Sequence, residues 1–315
     1  MKIADFMKDV KRVAITGHTR PDGDCVGACL ALYGYLLKNY PDVSTDVFLE
    51  KPSDKLSFIK YSDRIINDCS AAGGHDLMFC LDCASIDRMG MAIDCFRKAG
   101  RTICIDHHVS NSGYADENYI YPDKSSCCEA LYGFMEKGRI DRDIAVALYT
   151  GIVYDTGVFQ YSNTGPSTLR VAAELLEYGI DANYIVDESF FAKTYNENRI
   201  FGYAVFNSRL ACDGKVIYTC ITQDDLKEFG VLSRELEGIV AQLRLTRGVQ
   251  CAICMHELCP GEYRVSLRSN EDVDVNEIAT LFGGGGHERA AGCNMVGTAR
   301  ECLDRLIEAL EKVVK

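Results

Sequence analysis

Tryptophan is missing from this 315-residue chain. Also missing is any uninterrupted apolar run near the roughly 18 residues that a membrane-crossing helix needs, which excludes that class. The segment MKIADFMKDVKRVAITG is charged and amphipathic and has no apolar centre of the secretory kind, so a cytoplasmic protein without a membrane partner is expected. No basic stripe interleaved with aromatics occurs, and the formal net charge is −12. A protein that holds long nucleic acid by its phosphates needs the opposite sign, so that class is excluded as well. A short phosphorylated substrate stays admissible, because bound metal ions would neutralise several of these negative charges. Internal repeats and low-complexity tracts are absent too.

What is present is ordinary globular material, 47% hydrophobic and 25% charged, in a length that suits two domains or one large one. The 16 cysteines, in a long chain without an export signal, read as small core hydrophobes and not as a disulfide framework. The CxxC pairs Cys80/Cys83 and Cys251/Cys254 fall in strand-like runs and are weak zinc signals.

Periodicity divides the chain. Residues 12–17 read as a buried strand ending at His18, and residues 25–39 carry apolar side chains at helical spacing. Further strands are expected at 44–49, 76–82 and 101–106, with a helical pattern at 89–98. Helices are expected at 128–137 and 143–154, and a third that starts at Pro166 and is closed by Gly179. The fold class is therefore α/β, a doubly wound and mainly parallel sheet whose site lies beyond the carboxyl ends of its strands. Residues 183–210 look largely helical. Strands at 215–222, 251–258 and 262–269, with helices at 233–243, 275–282 and 298–314, make a smaller α+β unit. The expected domains are 1–185, a connector at 186–211, and 212–315.

The chemistry-bearing residues stand where these apolar runs end: His18, Asp22 and Asp24, then Asp82, then Asp106-His107-His108, then Asp155. Several carboxylates brought together repel one another, and divalent cations between them relieve that repulsion. Asp22 and Asp24 are two apart and can diverge toward two ions, Asp82 can serve both, and His107 and Asp155 complete the second site. Mixed imidazole and carboxylate ligation suits manganese, zinc or iron better than calcium. Two such ions can clamp the attacking and leaving oxygens of a phosphoryl transfer. His108 is placed to contact the phosphate or protonate the leaving group, and Asp106 to orient an imidazole. Each motif alone has a bland reading as a strand-end loop; their recurrence at successive ends does not.

A second group is Phe282-Gly-Gly-Gly-Gly-His287-Glu-Arg289-Ala-Ala-Gly292. Gly284, Gly285 and Gly286 leave backbone that an anion can approach, and His287 and Arg289 add donors. The alternative is a turn closing the preceding helix, with Ala-Ala-Gly suited to close helix packing. Arg268, in an alternating strand, can reach the same ligand.

Together these motifs, in this order and over nearly the whole chain, resemble the DHH/DHHA1 phosphoesterases. By that resemblance His18, Asp22 and Asp82 bind one manganese ion, Asp24, Asp82, His107 and Asp155 the other, and His108 faces the scissile phosphate. It implies an N-terminal catalytic DHH domain, a C-terminal substrate-binding DHHA1 domain, and an active site in the cleft between them. The short layout and the VSLRS strand look most like the bacterial nanoRNase/pAp phosphatase group. These cleave very short RNA to mononucleotides and convert 3′-phosphoadenosine 5′-phosphate (pAp) to AMP. Arg268 and His287 then become grips on a substrate phosphate, and a homodimer is admitted. Two alternatives are a phosphodiesterase specific for linear or cyclic dinucleotides, and a non-catalytic nucleotide sensor. Manganese-dependent pyrophosphatases share the metal motifs but not GGGGHERAAG.

Overall fold

A computed structural model describes residues 1–69, 73–270 and 273–314. The chain divides into two compact units, Met1–Ala192 and Lys193–Lys315.

Among the described residues of the first unit, six strands pair in parallel. They are β1 (Arg12–Thr16), β2 (Ser44–Phe48), β3 (Ile65–Ile66), β4 (Leu77–Leu81), β5 (Thr102–Asp106) and β6 (Glu117–Ile120). Their order, β3-β2-β1-β4-β5-β6, reverses direction between β1 and β4. The helices of this unit are α1 (Ile3–Phe6), α2 (Gly23–Asn39), α3 (Ile93–Lys98), α4 (Cys127–Phe134), α5 (Arg142–Asp155), α6 (Pro166–Leu176) and α7 (Ala182–Val186).

The alternation of side chains along each strand decides which layer each residue joins. Val13, Ile15, Leu77, Phe79, Ile103 and Ile105 face the core shared with α2, α4 and α5. Ala14, Phe48, Met78 and Cys80 face the opposite layer, where a 3-10 segment (Ile86–Ala92) and α3 bring Met89, Ala92 and Cys95. Burial on both faces is why the central strands read as unbroken apolar runs. Each aliphatic side chain taken from water there contributes roughly 1.5–3 kcal/mol.

Helices α2 and α5 cross at small residues four apart. A Cβ on Gly27 would lie 2.5 Å from the Ala147 carbonyl oxygen, and one on Gly23 would lie 2.5 Å from the Tyr154 ring. Side chains are therefore missing where the two backbones meet, and the first turn of α2 is drawn toward the last turn of α5.

The second unit is a six-stranded mixed sheet, among the described residues, in the order β11-β12-β10-β9-β8-β7. Its strands are β7 (Arg209–Ala211), β8 (Val216–Ile221), β9 (Cys251–Cys259), β10 (Glu262–Ser269), β11 (Gly285–His287) and β12 (Ala290–Val296). β8 and β9 run parallel and the other neighbours antiparallel. One face is covered by α11 (Val275–Leu281) and α12 (Ala299–Glu311). The other carries α8 (Tyr195–Phe206), α9 (Gln223–Phe229) and α10 (Ile239–Arg244). Cys251 and Cys254, three apart on β9, enter cores on opposite faces, so this CxxC pair does not converge. Among the described residues all 16 cysteines are free thiols.

Several local expectations need correction. The helix expected at 233–243 is a 3-10 turn (Ser233–Leu236) followed by α10, broken at Gly238 with φ +87°. Residues 183–210 are largely helical as expected, through α7, a π-helical turn (Asp187–Phe191) and α8, but they end in strand β7. Ala290-Ala291-Gly292 lies in strand β12, and Ala291 packs into the core beneath α11 and α12. A Cβ on Gly292 would stand 2.7 Å from the Val265 carbonyl oxygen, so this glycine serves close strand pairing.

Candidate metal centre

The reversal between β1 and β4 opens a crevice at the carboxyl end of the sheet. His18 follows β1 and is 6% exposed. Its Nδ1 is 2.9 Å from the Thr19 carbonyl oxygen, so Nδ1–H donates there and Nε2 faces inward. That Nε2 lies 3.4 Å from Asp82 Oδ2 and 3.7 Å from Asp22 Oδ2.

Asp22 is the N-cap of α2, its Oδ1 accepting from the amides of Asp24 and Cys25 at 3.1 Å each. Asp24, fully buried in the first turn, accepts from the amides of Cys127 at 2.6 Å and Cys128 at 2.9 Å. Those two N–H groups are orphan donors at the start of α4, and they aim one carboxylate from a distant part of the sequence.

Asp82 ends β4 with φ +52°, a left-handed backbone unusual for a non-glycine residue. Its oxygens face different imidazoles: Oδ2 faces His18, and Oδ1 lies 3.5 Å from His107 Nε2 and 3.6 Å from His108 Nδ1. Oδ1 is buried without a hydrogen-bond partner among the described residues. An orphaned carboxylate oxygen at the centre of a ring of donors fits a cation there. His107 Nε2 is also 3.1 Å from Asp155 Oδ2 at the end of α5 and 3.9 Å from Asp24 Oδ2. Candidate ligand atoms of Asp24, His107 and Asp155 lie within 4.8 Å of one another.

The electrostatics point the same way. Burial lowers the pKa of both His18 and His107, yet the carboxylates facing them prevail and hold each up at about 12. Burial together with Asp82 and Asp155 pushes Asp24 well above the usual carboxylate range. Burial also raises Asp155, partly opposed by His107. Asp82 is held down, burial being outweighed by the two imidazoles. Without cations the cluster therefore compensates its charge by retaining protons.

His108 borders this ring, within 4.8 Å of candidate ligand atoms of Asp82 and His107. Its Nδ1–H donates to Asp106 Oδ1 at 2.8 Å, which leaves Nε2 free on a side chain one-third exposed. Asp106, fully buried, also accepts from the His107 amide at 2.8 Å and from Asn111 Nδ2 at 2.6 Å. Asn111 in turn ties this carboxylate to the Cys83 carbonyl at 3.2 Å.

Sequence reasoning missed Asn111, the paired amides of Cys127 and Cys128, and Glu129. Only Ser126-x-x-Glu129 carried a local signal, since Ser followed three residues later by Glu marks a helix start with orphan amides. Glu129 is 2% exposed and accepts from Ser125 N (3.0 Å) and Oγ (2.7 Å), Ser167 Oγ (2.7 Å) and Thr168 Oγ1 (2.8 Å). Burial would raise this carboxyl, but these donors hold it down at about 2, against 4.5 ordinarily. A depressed folded-state value stabilises above the unfolded value and is lost as pH falls through the folded one. Glu129→Gln is therefore expected to cost about 3 kcal/mol near neutral pH. The difference in melting temperature from the parent should shrink between about pH 4.5 and 2. A gap independent of pH would mean that the carboxylate charge is not the source.

The remaining sequence-predicted residues lie in the second unit. Arg268 of β10 and His287 of β11 both pair with Ala290 of β12, so the three share one rung and one sheet face. Two strand spacings separate Arg268 from His287, roughly 10 Å, with only a methyl group between them. Arg268 also donates from Nη1 to its neighbour's carbonyl at Leu267, at 2.9 Å. Arg289 sits at the hairpin turn, half-exposed, 3.5 Å from Glu288. The glycines do different work. Gly283, with φ +73°, ends α11. Cβ atoms on Gly284 and Gly286 would meet β12 backbone at 2.2 and 2.4 Å, whereas Gly285 has open surroundings.

Known proteins match this arrangement. Residues 12–152 fit the model of the DHH family N-terminal domain and residues 213–315 that of the DHHA1 domain. The chain is 27% identical to the bifunctional oligoribonuclease and PAP phosphatase NrnA of Thermus thermophilus, covering 98% of this chain and 93% of the relative. It is also 27% identical to NrnA of Bacillus subtilis, covering 95% and 93%. A crystal structure of an exopolyphosphatase-related protein from Bacteroides fragilis superposes with a TM-score of 0.89 at 26% identity, covering 98% of this chain and 94% of that one. DHH phosphoesterases use divalent metals, and the donor set described above suits them. The chain thus belongs to the DHH/DHHA1 family and is a hydrolase that acts on phosphoester bonds.

Proposed function

We propose that this protein is a two-metal phosphoesterase that cleaves short oligoribonucleotides to mononucleotides and converts pAp to AMP. The observation that carries the two-ion reading is Asp82, buried between two imidazoles with one oxygen turned to each. His18, Asp22 and Asp82 would hold one ion, and Asp24, Asp82, His107 and Asp155 the other, with manganese suited to this mixture of nitrogen and oxygen donors. Bound ions would supply charge stabilisation and an activated water. The substrates are those named for the NrnA relatives.

The chain's own side chains then divide the work. His108, its Nδ1 proton anchored by Asp106, offers Nε2 to the phosphate or to the leaving oxygen. Arg268 and His287, on one rung of the second sheet, grip a substrate phosphate, with Arg289 and the open backbone at Gly285 beside them.

The assay that tests this uses manganese-loaded protein with pAp, a linear diadenylate, cyclic di-AMP, a five-nucleotide RNA and pyrophosphate. Release of mononucleotides from the short RNAs and of phosphate from pAp, with pyrophosphate untouched, is expected. Turnover confined to the dinucleotides would replace this assignment with a dinucleotide-specific phosphodiesterase. Nucleotide binding without any turnover would make the protein a sensor.

Metal loading itself has an expected signature. His18 and His107 are protonated at neutral pH in the cation-free cluster, so each must lose a proton to ligate. Titration calorimetry of manganese in buffers of different ionisation heat should show at least two protons released, with affinity rising as pH rises. Heats that do not vary with the buffer would remove these imidazoles from the ligand set.

A further inference from the structure

Cys25 follows Asp24 in the first turn of α2 and is fully buried. Its Sγ, a ring nitrogen of His18 and a carboxylate oxygen of Asp82 all lie within 4.8 Å of one another. Gly17 makes the room for it: a Cβ at residue 17 would stand 2.2 Å from Cys25 Sγ. Cys29 lies against Cys25, and three other nearby thiols are directed elsewhere. Cys83 Sγ donates to the Ser85 carbonyl at 3.2 Å, Cys127 Sγ to Ile105 at 3.2 Å and Cys128 Sγ to Asp24 at 3.6 Å. Among the described residues, Cys25 is the thiol grouped with both an imidazole and a carboxylate. Asp82 is 2% exposed and turns Oδ2 toward His18, while its Oδ1, without a hydrogen-bond partner among the described residues, faces His107.

We propose that Cys25 is a sulfur donor to the ion on the His18 side, and that its thiolate raises the affinity of this position for zinc, cobalt or cadmium relative to manganese more than at the second position. Thiolate is a soft ligand, and it discriminates against hard cations that favour oxygen. As the sulfur–metal bond forms the S–H bond breaks and its proton passes to solvent, with no change in oxidation state. The inference rests on the cluster being a metal centre.

Cobalt(II) added to metal-free protein reports the ligands directly. The parent protein should show a thiolate-to-cobalt charge-transfer band in the near ultraviolet together with visible d–d bands. Cys25→Ala and Cys25→Ser should lose the first and keep the second, while Cys29→Ala keeps both. The ratio of cadmium to manganese affinity should fall roughly tenfold or more in Cys25→Ala, the scale on which a changed metal environment acts. Cadmium-113 resonance of the unsubstituted protein gives the same answer without a variant, since a sulfur-ligated ion resonates far downfield of one held by oxygen and nitrogen. A charge-transfer band of parental intensity in Cys25→Ala, or cobalt bound by the parent without one, would overturn the role of Cys25 and leave the metal centre standing. If the parent binds no cobalt and no cadmium, the metal centre itself is wrong and the inference falls with it.

Discussion

Replacing Asp82 by Asn is expected to lower phosphoester hydrolysis by at least about a thousandfold, or about 4 kcal/mol of barrier. Asn is the informative substitution because Asp82 holds φ +52°, and Asn accepts left-handed backbone better than most residues. Size and backbone are therefore kept, while the negative charge and one acceptor oxygen are lost at the point where two imidazoles converge. Far-ultraviolet circular dichroism should stay near the parental spectrum, which separates lost chemistry from lost fold. Arg268→Ala provides the contrast. Its phosphate contact would be made equally before and during the reaction, so KM should rise about tenfold with kcat within about threefold. Equal losses of kcat in the two variants, with KM unchanged, would refute this division between catalytic and binding units.

Gly151→Ala, which alters no chemical group, should reduce kcat by about a hundredfold. Gly151 lies in α5, and a Cβ there would stand 2.3 Å from Cys128 Sγ and 2.6 Å from Asp24 Oδ1. Asp24 cannot step aside without losing the amides of Cys127 and Cys128. Alanine favours the helix by about 1 kcal/mol, and overpacking costs about 1–3 kcal/mol, so the net stability change is small. The displaced carboxylate matters more, because a shift of about 1 Å at a reacting centre can cost a hundredfold. Adding Cys128→Ala removes the nearer obstruction and should recover part of the rate. Activity within twofold of the parent for Gly151→Ala alone would show that Asp24 tolerates displacement.

The carboxyl edge of the first sheet was legible because its signals are local. Strands buried on both faces are continuous apolar runs, and the polar residue that ends each run marks where a side chain reaches the rim. That rule alone puts His18, Asp82 and Asp106 at the rim. Strand β6, with the sequence ENYI, has no such run and went unread. The Gly-rich hairpin went unread for a related reason. Gly284 and Gly286 look like a loop in sequence, although they are required by the approach of β12.

The amino-acid sequence by itself determined the inventory: an α/β unit and a smaller α+β unit, a set of carboxylates and imidazoles at element ends, and a separate Arg, His and glycine group. It also settled the family, through motif order. Tertiary structure alone decided how those groups are aimed. Two α4 amides hold Asp24 across 103 and 104 residues of sequence. Asn111 locks Asp106 against His108, and the glycines where α2 meets α5 bring Asp24 near Asp155. Each of these is a contact between backbone donors or bare Cα positions far apart in the chain. Such groups are identical at every residue, and only folding singles out the ones that do the work.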